Sequence, residues 1–220
     1  MDPDLLIELH PRLFHMAHHA AWPGIAKNGL LSTEALADMF EISGAERAAI
    51  LDQRRHDSVH IEHHQHGTAV IRDNKPMTDS ALQKCLTDGL SPTDWYRTLN
   101  GLVFFWTVQD RLDRLFAARA YRDSPHLVLE FDTAKMVEAH APNVRLSPIN
   151  SGSTVYNPVQ RGDDTFRTID SFPYKEWRAK GRGRRGAVVE FAVQHQVPDP
   201  MNFLVSAAVR HPDGTMVPIP

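Results

Sequence analysis

Glu190 stands inside an apolar run, Ala187-Val188-Val189-Glu190-Phe191-Ala192-Val193, where a carboxylate is costly to bury without partners. Strand alternation puts it on one face with Val188 and Ala192 and leaves Val189, Phe191 and Val193 on the other. It is either an outward-facing glutamate or a carboxylate that a rigid strand holds in a cleft. His15 poses the same choice within Leu13-Phe14-His15-Met16-Ala17: a satisfied structural histidine, or a polar group offered to a ligand. Ahead of Glu190, residues 150–186 carry Arg161, Arg167, Lys175, Arg178, Lys180, Arg182, Arg184 and Arg185, interleaved with Tyr156, Phe166, Phe172, Tyr174 and Trp177. Arginines meet phosphates and rings stack on bases, so the pattern suits single-stranded nucleic acid; a solvated basic loop with anchoring aromatics has the same composition. His56, His60, His63, His64 and His66 form a third group. A four-residue spacing can bring two imidazoles onto one helix face, which keeps a metal-dependent hydrolase as an alternative. No His-Glu-x-x-His signature accompanies them and Cys85 supplies no thiolate set, so the expectation is a polar loop without a metal.

The chain that must position these groups has 220 residues, 42% apolar and 23% charged, which suits one globular domain spanning 1–220. A net charge of −3 gives no global attraction to nucleic acid, so any polyanion contact must be local. The single cysteine, Cys85, excludes an intrachain disulfide. No apolar run approaches the roughly 18 residues of a membrane span, and the start MDPDLLIELHPRLFH does not read as a secretion signal. The expected setting is the cytoplasm, with no membrane partner.

The pattern predicts a short helix over 4–10, a buried strand at 13–17, and a helix from His19 to Asn28 stopped by Gly29. Ser32 caps a helix reaching Met39, and helical periodicity runs from Ala45 to Arg55. Residues 56–80 read as irregular. Helices follow at 80–88 and from Pro92, under a Ser91 cap, to about Leu99. A strand at 102–107, a helix at 110–121, a strand at 126–132 and a short helix at 133–139 come next. Residues 141–186 read as a long, mostly irregular functional loop, then strands at 187–193 and 203–210. Helices interleaved without regular βαβ alternation indicate an α+β fold.

Four segments, in order, resemble the DarT-like DNA ADP-ribosyltransferase toxins. The run LFHMAHHAAWPGIAKNGLLS resembles their opening strand and helix through His15, Pro23, Ile25, Gly29 and Leu30, with Trp22 where leucine is usual. Gln53-Arg54-Arg55 resembles their paired arginines, one of which touches NAD. VFFWT at 103–107 resembles their "Val-Pro-Phe-Tyr-Phe" strand without its proline, and AVVEFAVQHQVP at 187–198 resembles the closing strand that carries the catalytic glutamate. The stretches Val70–Pro76 and 147–166 have no counterpart there and point to a related but separate bacterial family of unassigned function.

The resemblance implies an ADP-ribosyltransferase-like fold, with a mixed or antiparallel split sheet and flanking helices. NAD is the implied substrate. Glu190 is then the catalytic carboxylate, supported by Arg54 and Arg55, which can fork onto phosphate oxygens. His15, Met16, Ala17, Phe105 and Trp106 join the two arginines in holding the dinucleotide. The loop residues Tyr156, Arg161, Phe166, Tyr174 and Trp177 face the acceptor, expected to be DNA or RNA. Transfer passes through an oxocarbenium-like state that a carboxylate near the ribose stabilises, and the same carboxylate can serve as general base. No Gly-x-Gly-x-x-Gly follows a strand, so a Rossmann mode is not indicated. A protein or small-molecule acceptor, and a non-catalytic module binding NAD, ADP-ribose or nucleic acid, are the other readings. A toxin or antiphage role would imply a macrodomain-type antitoxin as partner.

Overall fold

Apolar residues at period two build the centre of the molecule, which is a computed structural model describing residues 1–155 and 158–219. The strands are β1 (Arg12–His18), β2 (Leu30–Leu31), β3 (Val59–His63), β4 (Gly67–Ile71), β5 (Leu102–Trp106) and β6 (His126–Asp132). They continue with β7 (Val144–Ser147), β8 (Glu190–Gln194), β9 (Gln196–Val197), β10 (Leu204–Arg210) and β11 (Met216–Pro218). Seven form one sheet in the order β11-β10-β6-β1-β5-β8-β7, every described pairing antiparallel. Strand β1 pairs with β6 along its whole length but with β5 only at Phe14 opposite Trp106. The sheet is therefore nearly divided at the β1–β5 seam.

One face of the sheet (Leu13, Ala17, Val103, Phe105, Leu129, Phe191) meets Leu6, Ile25 and Met136 from helices Pro3–Leu9, Trp22–Asn28 and Thr133–His140 to form the main core. On the other face Phe14, Met16 and Trp106 pack on Leu112 and Phe116 of helix Gln109–Ala117. Phe104 packs with Trp95, Tyr96 and Leu99 of helix Pro92–Asn100, which a Ser91–Asp94 capping box starts. The architecture is a mixed α+β fold of one compact domain, with helices flanking a large antiparallel sheet. Among the described residues no helix is long and apolar enough to cross a membrane.

Gly29 holds a place no other residue could fill. Its φ is +85°, and a Cβ there would lie 2.6 Å from the Val197 carbonyl oxygen, where β2 pairs with β9.

Several expectations are corrected. Residues 56–80 are not irregular: β3 and β4 form a hairpin, with Ile61 and Ile71 buried against Phe40, Ile50 and Leu51. Alternation in Val59-His60-Ile61-Glu62-His63 carried the strand signal, which the histidines obscured. The segment 141–186 contains β7 and a helix at Tyr174–Ala179. Glu190 opens β8 instead of lying at mid-strand, because Arg185–Ala187 forms a 3-10 turn. Helix 110–121 ends at Ala117, and β11 follows the strand expected to be last.

Candidate active site

At the seam, the His15 ring reaches across to β5, where its Nδ1 lies 2.8 Å from the Phe104 carbonyl oxygen. A carbonyl only accepts, so Nδ1 carries the proton and donates, leaving Nε2 as an acceptor for a ligand hydroxyl. Burial lowers the His15 pKa, with Arg72 acting in the same sense and the Phe104 bond opposing, so the ring is neutral at neutral pH. Phe14 and Glu190 both face Trp106, Phe14 from β1 and Glu190 from β8. One strand thus separates the strands of His15 and Glu190, an inter-strand distance of about 10 Å. By alternation His15 shares the face of Leu13, Ala17 and Phe105, whereas Glu190 shares that of Phe14 and Trp106, so a ligand touching both must pass through the opening beside the Phe14–Trp106 pair.

Glu190 is 5% exposed, so the outward-facing reading fails. Its Oε1 accepts the Ser151 backbone N–H at 3.1 Å, while Oε2 is buried with no hydrogen-bond partner among the described residues. Burial pushes its carboxyl up to about 7, against the pull of the nearby Ser151 hydroxyl, of the Ser151 N–H, and of the guanidinium charges of Arg161 and Arg111. The Ser151 Oγ is itself buried without a hydrogen-bond partner among the described residues. A half-satisfied buried carboxylate is expensive to keep, and such groups concentrate where chemistry is done. Beside it Arg111, Arg161 and Arg182 line an open pocket of ≈ 220 Å³.

The other expected residues distribute unevenly. Arg55 is 7% exposed and engaged through two of its three nitrogens: Nε donates to the Arg72 carbonyl, and Nη1 to the Ile50 carbonyl and Asn100 Oδ1. It ties helix Gly44–Leu51 to the hairpin, with burial pulling its pKa down to about 10. Arg54 donates to the Lys75 carbonyl at 3.0 Å. The charges that act on Glu190 belong instead to Arg161 and Arg111. Met16 lies beside Trp106 against helix Gln109–Ala117, whereas Ala17 and Phe105 belong to the main core, Phe105 meeting Phe131 and Phe191 edge-on. Phe166 stacks on Trp95 and leans on Phe104, and Tyr174 donates to the Arg184 carbonyl. Trp177 packs on the main core under the cations of Lys180 and Arg182. Tyr156 lies outside the described residues.

Sequence reading missed Arg111 and Arg72. Arg111 sits near the start of a helix read only for its apolar face. Arg72 follows β4, with its guanidinium 4.7 Å above the Tyr121 ring and its Nη1 buried without a hydrogen-bond partner among the described residues. Tyr121 donates to Asp73 Oδ1 at 3.0 Å, and the charge of Arg72 reaches His15, His18 and His126. In the histidine cluster, His63 stacks on His66 at 4.7 Å, and among the described residues no three His, Cys, Asp or Glu side chains converge as metal ligands would.

Comparison with curated proteins gave no match. A family model covers residues 11–204, from the start of β1 into β10 and through every group named above. The chain accordingly belongs to the family described as "Family of unknown function (DUF7002)".

Proposed function

We propose that this protein binds NAD in the seam between β1 and β5 and transfers its ADP-ribose, with Glu190 as the catalytic carboxylate. The observation that carries the reading is Glu190 itself, buried at 5% exposure with Oε1 held by Ser151 and Oε2 without a hydrogen-bond partner among the described residues. A ribose hydroxyl donating to Oε2 would complete its hydrogen bonding and place the carboxylate beside the sugar whose bond to nicotinamide breaks. Positive charge then grows on that ribose, next to the ionised carboxylate in a low-dielectric site. A carboxyl near 7 also suits a general base at neutral pH, taking the proton of the incoming nucleophile.

The donor's other end would meet His15 and Arg72. Neutral His15 offers Nε2 to a ribose hydroxyl, and the orphaned Nη1 of Arg72 offers a donor to a phosphate oxygen. This hands the phosphate role from Arg55 to Arg72, because Arg55 has committed its Nε and Nη1 to internal acceptors. Arg54, whose Nε is also buried without a partner among the described residues, keeps its candidacy. The near-division of the sheet at this seam supports the split-sheet, ADP-ribosyltransferase-like reading of the fold. The acceptor class favoured is nucleic acid, DNA or RNA, approached by the basic segment before β8; an antiphage or toxin role, paired with a macrodomain-type hydrolase, follows from that acceptor.

The test is incubation of the full chain with NAD labelled in its ADP-ribose portion, alongside single-stranded DNA, RNA and protein. The account expects label on nucleic acid and release of nicotinamide; label on protein alone would overturn the acceptor class.

A further inference from the structure

We propose that the pocket between Arg111, Arg161 and Arg182 is a phosphate-binding subsite that anchors the acceptor beside Glu190. The word acceptor rests on the transferase reading above, whereas the binding of phosphate does not.

Three separate segments supply the guanidiniums: helix Gln109–Ala117, the loop before β8, and the turn after helix Tyr174–Ala179. Arg161 is 2% exposed and rigidly aimed, its Nη1 2.8 Å from the Ser151 carbonyl and its Nε 3.1 Å from the Val159 carbonyl. Among the described residues the Arg111 Nε is buried without a partner, and Arg182 rests over the Trp177 ring at 5.2 Å. Among the described residues none of the three forms an ion pair, and the acid whose charge reaches Arg111 and Arg161 is Glu190. Burial, together with the like charges of Arg182 and Arg114, depresses the Arg111 pKa. Crowded cations in a partly desolvated pocket are relieved by an anion.

Size and lining narrow the anion. The remaining wall is largely apolar, including Ile149, Val159 and Val189, and among the described residues no carboxylate lines it. At ≈ 220 Å³ it falls below the roughly 300 Å³ of the smallest drug-sized sites, so it takes a phosphate and the first atoms attached to it, not a dinucleotide. Arg161 has spent Nε and Nη1 on carbonyls, and Arg182 donates Nη1 to the Gly186 carbonyl. An anion therefore meets the remaining N–H groups of the three guanidiniums, whose number and charge favour phosphate over a lone carboxylate. Phe166, Tyr174 and Trp177 are already occupied in packing, so the acceptor is gripped here by its phosphate and not by base stacking on those rings. The pocket also stands apart from the Arg72 group, whose charge neighbours are His15, His18, Tyr121 and Asp73.

Calorimetric titration of the full chain tests this, using inorganic phosphate, a nucleoside 5′-monophosphate, and a short single-stranded oligonucleotide with a 5′-phosphate or a 5′-hydroxyl. Each phosphorylated probe should bind, the 5′-phosphate tightening binding by about tenfold over the hydroxyl form. Arg182→Gln, at a half-buried position, should erase that advantage, with melting temperature confirming the fold; Arg119→Gln, an equal loss of charge at an exposed position elsewhere, should leave it. Tighter binding of the oligonucleotide than of the mononucleotide would identify a nucleic-acid end as the source, and equal binding a free nucleotide. Equal affinity for the phosphate and hydroxyl forms, or an equal loss in Arg119→Gln, would overturn the subsite. Phosphate competing directly with NAD would assign the pocket to the donor and overturn the acceptor role. Nicotinamide release by the wild type is read separately: its absence would remove the transferase reading while the titration still decides the phosphate site.

Discussion

Replacing Glu190 with glutamine should stabilise the protein while removing its activity, and the gain should grow with pH. Glutamine keeps the shape and still accepts the Ser151 N–H, but it never has to ionise in a buried site. In the native chain the Glu190 pKa is raised from 4.5 to about 7, so the folded state holds its proton where the unfolded state has released it. Wild-type stability therefore falls as pH rises from about 4.5 to 7 and stays low above that. At about 1.4 kcal/mol per pKa unit, the glutamine variant gains about 3 kcal/mol at pH 8 but less than about 1 kcal/mol at pH 5. The gap between the two conditions is thus about 2 to 3 kcal/mol, or about 5 to 10 °C in melting temperature for a chain of this size. Urea unfolding of both proteins at pH 5 and pH 8 measures it. All other ionisable groups are common to both proteins and cancel in the difference. A gap that does not change with pH would refute the buried, half-satisfied carboxylate. A gap that shrinks as pH rises would show the carboxylate to be net stabilised by Arg111 and Arg161.

Three further outcomes follow from the geometry. Nicotinamide release at limiting NAD should rise with pH through a midpoint near 7 as Glu190 ionises; a flat profile between pH 5 and 8 would separate Glu190 from the chemistry. Arg72→Gln should raise the KM for NAD about tenfold or more, whereas Arg55→Gln should act on stability by about 2 to 4 kcal/mol in urea, because it strands the Ile50 and Arg72 carbonyls and Asn100; equal effects on KM would contradict that division of roles. Gly29→Ala should destabilise by about 2 kcal/mol or more, read as a lowered melting temperature, since it combines a φ of +85° with a Cβ 2.6 Å from the Val197 oxygen.

The strands that frame the site were legible because their apolar residues are contiguous: Leu13–Ala17, Leu102–Thr107 and His126–Asp132 all lie within or against β1, β5 and β6. Helix starts were legible where a side chain caps them, as Ser32 and Ser91 do. The β3–β4 hairpin was lost because histidine and glutamate on its solvent side look like a polar loop, and β7 because four residues after a proline-containing turn give little periodicity. At the site, Glu190 and His15 were legible as polar residues in apolar strands. Arg55 was misread because an arginine doublet looks free until burial shows its acceptors. Arg111 and Arg161 could not be joined to Glu190 from the sequence, since only tertiary packing brings the three charges together.

The central claim is that Glu190 drives the loss of nicotinamide from NAD. Its most direct test is nicotinamide release by purified wild type and Glu190→Gln at saturating NAD and pH 8, with urea unfolding confirming that the variant is folded. The wild type should release nicotinamide measurably, and a Glu190→Gln variant at least as stable should lose about 100-fold or more of that rate. Wild-type inactivity, or a folded Glu190→Gln variant that retains full activity, would contradict it.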